Sequence, residues 1–314
     1  MYFPYLRGKQ FELIMLKELA DKVSDSGNVI PIIEPVKKRL STVASVLKKY
    51  KEKKSKFIIV ANPAVGELKN NVKAIFDDLI TPEYNGYDQG IVGFLISNYT
   101  TLSDVKKFVK IASAYKICFI FGSTSIPFAD IEKVIDGIDS YEYSIFINEK
   151  TSRSYRRNFI KEYDCVLIED GFEKQNNAHY ALQPDHYFSD LNSVYLEDGF
   201  MGFGDYLIVG EEFTEGGGPA HAVAIHLTYL HKEGDIWIKH FVSDSNGTPV
   251  DPAGKFLEAL NKLVTYVKKK EVDFSFSTAC DEFIELHKNQ YYPGLGSVKK
   301  LCMKHHVELM ISII

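Results

Sequence analysis

The chain has 314 residues, of which 45% are hydrophobic, and its formal net charge is −5. This composition excludes an intrinsically disordered chain, and the small net charge gives no reason to expect a general nucleic-acid binder. No apolar run approaches the roughly 18 residues that a membrane-spanning helix needs. Four cysteines (Cys118, Cys165, Cys280 and Cys302) are far apart and form no C-x-x-C pair. We therefore expect reduced cysteines and a cytoplasmic protein.

Short apolar runs alternate with helix-like segments through most of the chain. After an extended start that contains Pro4, apolar residues recur at three- and four-residue steps from Lys9 to Val23 and predict a helix. Strands are predicted at 29–33, 56–60, 90–96, 116–121, 143–147, 164–169 and 206–209. Helices are predicted between them at 41–54, 68–79, 101–114, 126–135 and 151–162. Residues 172–204 are predicted to form a long loop with one short helix.

The regular alternation stops after residue 210. The runs at 222–230 and 235–244 predict an antiparallel hairpin. A long helix is predicted at 251–270, and two or three packing helices are predicted at 273–314. We therefore predict a barrel-like α/β domain at 1–272, followed by a helical extension at 273–314.

Repeated strand–helix units predict an α/β fold, namely a TIM-like (β/α)8 barrel. We expect this barrel to be irregular in its last quarter, with an added β-hairpin and C-terminal helices. One interpretation is that the hairpin supplies the eighth strand and one extra strand. The alternative is a doubly wound open sheet, but such a sheet calls for a glycine-rich fingerprint after the first strand, where this sequence has IIEPVKKR.

Polar side chains follow the carboxyl ends of several predicted strands, where TIM barrels have their active sites. A ring of carboxylates and amides there predicts a site for a divalent metal or a polar substrate, because hard cations take oxygen ligands. The alternative is that these residues only cap and turn the chain. The candidate catalytic residues are Glu34, Glu169, Glu211 and Asp205, and the candidate substrate-binding residues are Arg7, Asn62, Asn148 and Asp190.

Two histidines and a run of glycines form further candidates. If the hairpin turns at 231–235, His226 lies directly opposite His240, and the two imidazoles could share a metal ion. The alternative is a solvated strand face, and a one-residue change in the turn would remove the pairing. The segment GGGP at 216–219 could hold an anion through its backbone amides, but no G-K-[ST] follows, so it is not a phosphate loop, and a lid or a plain turn is favoured.

Three segments carry a family resemblance: YFPYLRGKQFEL, IPIIEPVK and FSDLNSVYLEDGFMGFGDYLIVGEEFTEGGGPAHAVAIHLTYL. Together they resemble the "beta protein" family of largely uncharacterised bacterial and prophage-borne proteins. The resemblance implies a barrel-like α/β domain and a link to mobile elements or phage defence. It brings no catalytic residue with it.

The sequence leaves two functions open and does not decide whether the protein is an enzyme. The first is a subunit of a phage-defence or mobile-element system that acts by binding a protein partner encoded nearby. The second is a metal-assisted hydrolase of a polar or phosphorylated substrate, with carboxylates at the barrel mouth as acid and base and Arg7 as the anion-binding residue.

Overall fold

The computed structural model describes residues 1–218 and 220–314. These residues form two compact units. The first unit comprises Met1–Leu13, Ala20–Glu169 and Val194–Asp205, and the second comprises Ile14–Leu19, Asp170–Ser193 and Tyr206–Ile314. The boundaries of these two units differ from the boundary between the predicted segments 1–272 and 273–314. Within the described residues, none of the helices combines the length and the apolarity required to cross a membrane.

The strands and helices in chain order define the labels used below. The strands are β1 (Tyr5–Leu6), β2 (Ile32–Ile33), β3 (Phe57–Val60), β4 (Gly90–Ile96), β5 (Lys116–Phe121), β6 (Tyr141–Ile147), β7 (Cys165–Glu169), β8 (Asp185–Ser189), β9 (Gly202–Asp205), β10 (Ala224–Leu230) and β11 (Ile236–Val242). The α-helices are α1 (Gln10–Ser26), α2 (Ser41–Glu52), α3 (Val72–Ile75), α4 (Thr81–Tyr84), α5 (Leu102–Ile111), α6 (Phe128–Ile135), α7 (Arg153–Phe159), α8 (Leu191–Val194), α9 (Pro252–Lys269), α10 (Thr278–Lys288) and α11 (Leu295–Ile313). A π-helix spans Phe76–Ile80, and 3-10 helices span Asn148–Lys150 and Asn177–Ala181.

The first unit is a nearly closed barrel. Among the described residues, its sheet contains eight parallel strands in the order β1 to β7 followed by β9. Tyr2 forms parallel bridges to both Val29 and Phe203, which joins the first strand of the sheet to the last. The backbone N–H of Phe3 donates to the carbonyl of Phe203 over 2.8 Å. The predicted TIM-like barrel is therefore confirmed.

One barrel strand was not predicted, and one predicted strand was placed on the wrong residues. The extended N-terminal segment supplies β1, which the sequence analysis did not count as a strand, so the hairpin is not needed as the eighth strand. The last barrel strand is β9 at Gly202–Asp205, whereas no strand forms at 206–209, of which 207–209 are a turn. A Cβ on Gly204 would lie 2.0 Å from the carbonyl oxygen of Phe3. Glycine is required there because the closing strand comes so close to the first one.

The second unit contains a three-stranded antiparallel sheet in the order β10–β11–β8. The predicted hairpin is present as β10 and β11, and His226 pairs with His240 in the predicted register. Strand β8 lies inside the segment that was predicted to be a long loop, and it pairs antiparallel with β11. The predicted long helix is α9, and the predicted packing helices at the end of the chain are α10 and α11.

Buried polar groups connect the last two helices of the second unit. The carboxylate of Glu308 on α11 accepts hydrogen bonds from the Ser277 hydroxyl over 3.2 Å and from the Ala279 backbone N–H over 3.1 Å. The His305 ring bonds to the Thr228 carbonyl through Nε2 and to the Ser277 hydroxyl through Nδ1, each over 2.7 Å. Because a carbonyl can only accept, Nε2 of His305 carries the proton.

Candidate functional site

Arg7 and Glu34 lie at the carboxyl ends of neighbouring strands in the first unit. Glu34 follows β2 and is fully buried. Its carboxylate pairs with the Arg7 guanidinium and accepts hydrogen bonds from the Tyr5 hydroxyl over 2.7 Å and from the Ala64 backbone N–H over 2.6 Å. A buried carboxylate requires such partners, because burial removes the water that would otherwise solvate its charge. The arrangement ties together the carboxyl ends of β1, β2 and β3.

A second group of predicted site residues lies at the ends of β6, β7 and β9. Glu169 and Asp205 are direct partners in the register of β7 and β9. The Asn148 amide donates to Glu169 over 2.9 Å, and the Tyr2 hydroxyl donates to Asp205 over 2.8 Å. Burial, and then the charge of Asp205, raise the pKa of Tyr2 well above its ordinary value, so the phenol keeps its proton. The structure therefore brings these three predicted residues together.

The Asn62 side chain serves the barrel backbone. Its amide nitrogen donates to the Leu95 carbonyl and its amide oxygen accepts from the Leu95 N–H, both over 2.8 Å. These two bonds link the loop after β3 to β4, and they occupy both polar ends of the side chain. Substrate binding by Asn62 stays a prediction, and a substrate would have to replace the two hydrogen bonds to Leu95.

Two further predicted residues belong to the second unit. The backbone N–H of Glu211 donates to Asp170 over 2.7 Å. Asp190 directly precedes α8, and its carbonyl accepts from the Ser193 N–H over 2.9 Å. The predicted convergence of Glu34, Glu169 and Glu211 involves both units and stays a prediction, as do the catalytic roles of all the candidates.

The paired histidines contact each other in a row of three rings. Nδ1 of His226 lies 2.6 Å from Nδ1 of His240, and Nε2 of His240 lies 3.2 Å from Nδ1 of His186. Burial lowers the pKa of His226 to about 3 and of His240 to about 2, so both rings are neutral at pH 7. The two distances show that both ring nitrogens of His240 are used in hydrogen bonds to neighbouring histidines. His186 was not among the predicted site residues, because β8 lies in a segment that was predicted to be a loop.

The metal predictions are not supported by any cluster of ligands. Within residues 1–218 and 220–314, no group of three or more His, Cys, Asp or Glu side chains could hold a metal ion. A metal shared by His226 and His240 would need a lone pair from Nδ1 of each ring. In this structure a hydrogen bond joins these two nitrogens instead. The divalent metal, at the barrel mouth or at this histidine pair, stays a prediction.

An open groove of about 540 Å³ lies beside the barrel mouth in the first unit. It is bounded by the loop after β3, the end of β4 and one face of α5. Its floor is formed by the rings of Phe94 and Phe108, which stack with centroids 4.5 Å apart. Tyr99 and Ile111 extend from its rim with 93% and 54% of their surface exposed. No sequence pattern marked these four side chains as a group.

Two lysines and one aspartate are the charged residues among the described residues that line the groove. Lys69 lies on the loop after β3, and Lys107 lies on α5. Asp104 is the acidic residue among the groove-lining residues that the structure describes. Its carboxylate accepts hydrogen bonds from the Thr101 hydroxyl over 2.6 Å and from the Thr101 N–H over 3.1 Å. These bonds lower the pKa of Asp104 and hold its charge at the start of α5.

Comparison with known proteins identifies no family for this chain. No protein-family model matches the chain, and no curated protein matches it either. One similar solved structure is described as a dihydrodipicolinate synthase family protein from Coccidioides immitis, with 10% identity, a TM-score of 0.43, and coverage of 98% of this chain and 83% of that one. Another is the hyperthermostable endo-1,4-β-D-mannanase from Thermotoga petrophila, with 12% identity, a TM-score of 0.37, and coverage of 74% and 91%. The resemblance to the beta protein family stays a prediction.

Proposed function

We propose that this protein acts by binding a protein partner, and that the partner occupies the groove beside β4 and α5. The observation that carries the proposal is the groove itself, an apolar cleft with an exposed aromatic side chain on its rim. The occupant that fits is an acidic segment of the partner that carries apolar side chains. The family resemblance adds the proposal that the partner belongs to a phage-defence or mobile-element system.

The apolar part of the groove provides the binding energy. Phe94 and Phe108 are already buried in the barrel wall, so their stacked rings give a fixed floor. Tyr99 is almost entirely in water, and covering an exposed aromatic side chain stabilises a complex by about 1.5–3 kcal/mol. Tyrosine is also one of the residues that dominate binding energy at protein interfaces.

The charges of the groove determine which partner fits. Lys69 and Lys107 both line the cleft, one from the loop after β3 and the other from α5. Asp104 offsets part of this charge, because its carboxylate lies 3.8 Å from the Lys107 ammonium, but both side chains are exposed and such a surface pair contributes little, so an acidic side chain of a partner can replace Asp104. Complementary charge mainly sets the choice of partner and the rate of association. A segment with acidic side chains beside its apolar anchors is therefore favoured over a basic one.

The barrel mouth offers less support for the alternative function, a metal-assisted hydrolase. Glu34 is fully buried and bonded to three neighbours, and Asp205 is buried and bonded to Tyr2. A general acid or base must instead be within hydrogen-bond reach of the substrate. No specific contact favours the hydrolase over partner binding, so the hydrolase stays a prediction from the sequence.

The proposal can be tested with two pools of synthetic peptides measured by fluorescence anisotropy. Both pools carry the same randomised apolar positions, which are flanked by glutamates in one pool and by lysines in the other. We expect the acidic pool to bind about tenfold more tightly than the basic pool, which corresponds to one or two favourable charge contacts. Tyr99→Ala should weaken binding of the acidic pool by about tenfold.

Matched variants separate the groove from the rest of the surface. The double variant Lys69→Glu, Lys107→Glu should reverse the preference between the two pools. Leu182→Ala is the control, because Leu182 is 87% exposed but belongs to the second unit. Equal binding of the two pools, or binding that Tyr99→Ala leaves unchanged, would overturn the proposal. Self-association that blocks peptide binding and disappears in Tyr99→Ala would show instead that a second copy of the chain is the occupant.

A further inference from the structure

The second unit contains a separate pocket of about 340 Å³. Its floor includes the rings of Phe172, Tyr180 and His226, and two lysines, Lys174 and Lys299, lie among its lining residues. The volume is within the range of pockets that hold small organic ligands. From the sequence, His226 was predicted only as a metal ligand, without a link to the other four residues.

The aromatic floor is held in place before any ligand binds. The His226 ring meets Phe172 and Tyr180 edge to face, with ring centroids 5.3 Å and 4.9 Å apart. The Tyr180 hydroxyl donates to the Glu173 carbonyl over 2.9 Å and accepts from the Gln175 N–H over 2.8 Å. Because these rings are fixed by their neighbours, a ligand that packs on them loses little free energy to reorganisation.

His226 is oriented from two directions. Its Nδ1 is bonded to His240, and its backbone N–H donates to the Cys302 thiol over 3.4 Å. With Nδ1 used in this way, Nε2 is the ring nitrogen that remains for a polar group of a ligand. The floor therefore combines flat apolar surface with one polar position.

The charged side chains among the described lining residues of the pocket are all cationic. Lys174 and Lys299 line it, and none of its described lining residues is an aspartate or a glutamate. Lys174 forms an ion pair with Glu212 over 3.0 Å, but Glu212 is 72% exposed, and such surface pairs contribute little. A ligand anion can therefore exchange with Glu212 at low cost.

Part of the glycine-rich segment lies beside these lysines. Gly217 and Gly218 line the pocket, and a side chain added at either position would meet nothing within 4 Å. Backbone N–H groups in such an open segment can donate to an anion. Pro219, the last residue of the predicted GGGP segment, lies outside the described residues.

We propose that this pocket binds a small amphipathic anion, whose planar or aliphatic body packs on the aromatic floor and whose carboxylate, sulfonate or phosphate group contacts Lys174 and Lys299. This inference is independent of the groove in the first unit and goes beyond partner binding. It assigns one small-molecule site to residues that the sequence marked separately, His226 as a metal ligand and the glycine segment as an anion-holding loop, a lid or a turn.

Two fluorescent probes of similar shape test the proposal on the full chain. 8-Anilinonaphthalene-1-sulfonate carries an anionic group, whereas N-phenyl-1-naphthylamine has the same ring skeleton without the charge. We expect Lys299→Gln to weaken binding of the sulfonate probe by about fivefold and to leave binding of the uncharged probe within about twofold, because only the charged group contacts the lysine. Lys232→Gln, a change at another exposed lysine of the second unit, should affect neither probe.

A second variant locates the apolar part of the site. Ala224 lines the pocket, and Ala224→Phe should fill it and weaken binding of both probes. Gly218→Trp, at an open position, should have the same effect and replaces Ala224→Phe if that variant melts at a lower temperature than the parent chain. Absence of probe binding, or binding of the sulfonate probe that neither Lys299→Gln nor the filling variants change, would overturn the proposal.

Discussion

Replacing Glu34 with glutamine tests whether this residue belongs to the framework of the barrel. In Glu34→Gln one carboxylate oxygen becomes an amide NH2 group, so either the Ala64 N–H or the Tyr5 and Arg7 side chains face a donor instead of an acceptor. The Arg7 guanidinium also loses its ion pair with Glu34. Removing one partner of a buried ion pair typically costs about 3–5 kcal/mol. Because the Arg7 side chain is 12% exposed, we expect a loss near the lower end, about 3 kcal/mol.

The assay is urea unfolding of single and double variants at neutral pH. Arg7→Met combined with Glu34→Gln should cost less than the sum of the two single changes, by about 2 kcal/mol, because it removes both charges of one pair. Glu67→Gln is the matched control, since Glu67 pairs with Lys37 over 3.1 Å at an exposed position, and we expect almost no change from it. A loss in Glu34→Gln as small as in the control would refute the framework role and favour a functional one.

Two further predictions concern barrel closure and acid stability. Gly204→Ala places a Cβ where Phe3 and Ile168 already are, so we expect a loss of about 3 kcal/mol or more in urea unfolding, whereas Gly247→Ala should be neutral because nothing lies within 4 Å. A small loss at Gly204 would contradict the close contact between the first and last strands. Burial lowers the pKa of His305 to about 4, below its ordinary value of 6.5, so the unfolded chain binds the extra proton first. Stability from this group should be complete above pH 6.5 and decrease toward pH 4 by roughly 3 kcal/mol, and His305→Gln should reduce that decrease. The same loss of stability between pH 6.5 and pH 4 in His305→Gln as in the parent chain would contradict this prediction.

The sequence predicted the barrel well, and it missed the strands that lack a hydrophobic pattern. The central strands are apolar runs of four to seven residues, and such runs are visible without a structure. Strand β1 has only two residues and follows Pro4, while β9 reads GFGD, with glycines that serve close approach rather than burial. Both depend on contact between the two ends of the barrel, and no local pattern encodes that contact.

The candidate site shows the same division between local and long-range information. The pairing of His226 with His240 was predictable because turn length fixes the register of a hairpin. The partners of Glu34 were not, because the Tyr5 hydroxyl and the Ala64 backbone reach it only after three strands have been aligned. The exposure of Tyr99 also depends on the fold, since its sequence neighbourhood resembles any turn before a helix.

Partner binding at the groove is tested most directly by hydrogen exchange of the full chain, with and without a peptide from the acidic pool. The peptide should slow exchange in the loop after β4 and in α5, from Ser97 to Ile111, and Tyr99→Ala should remove this protection. Protection at the barrel mouth around Arg7 and Glu34 instead, or no protection at peptide concentrations that saturate binding, would contradict the proposed function.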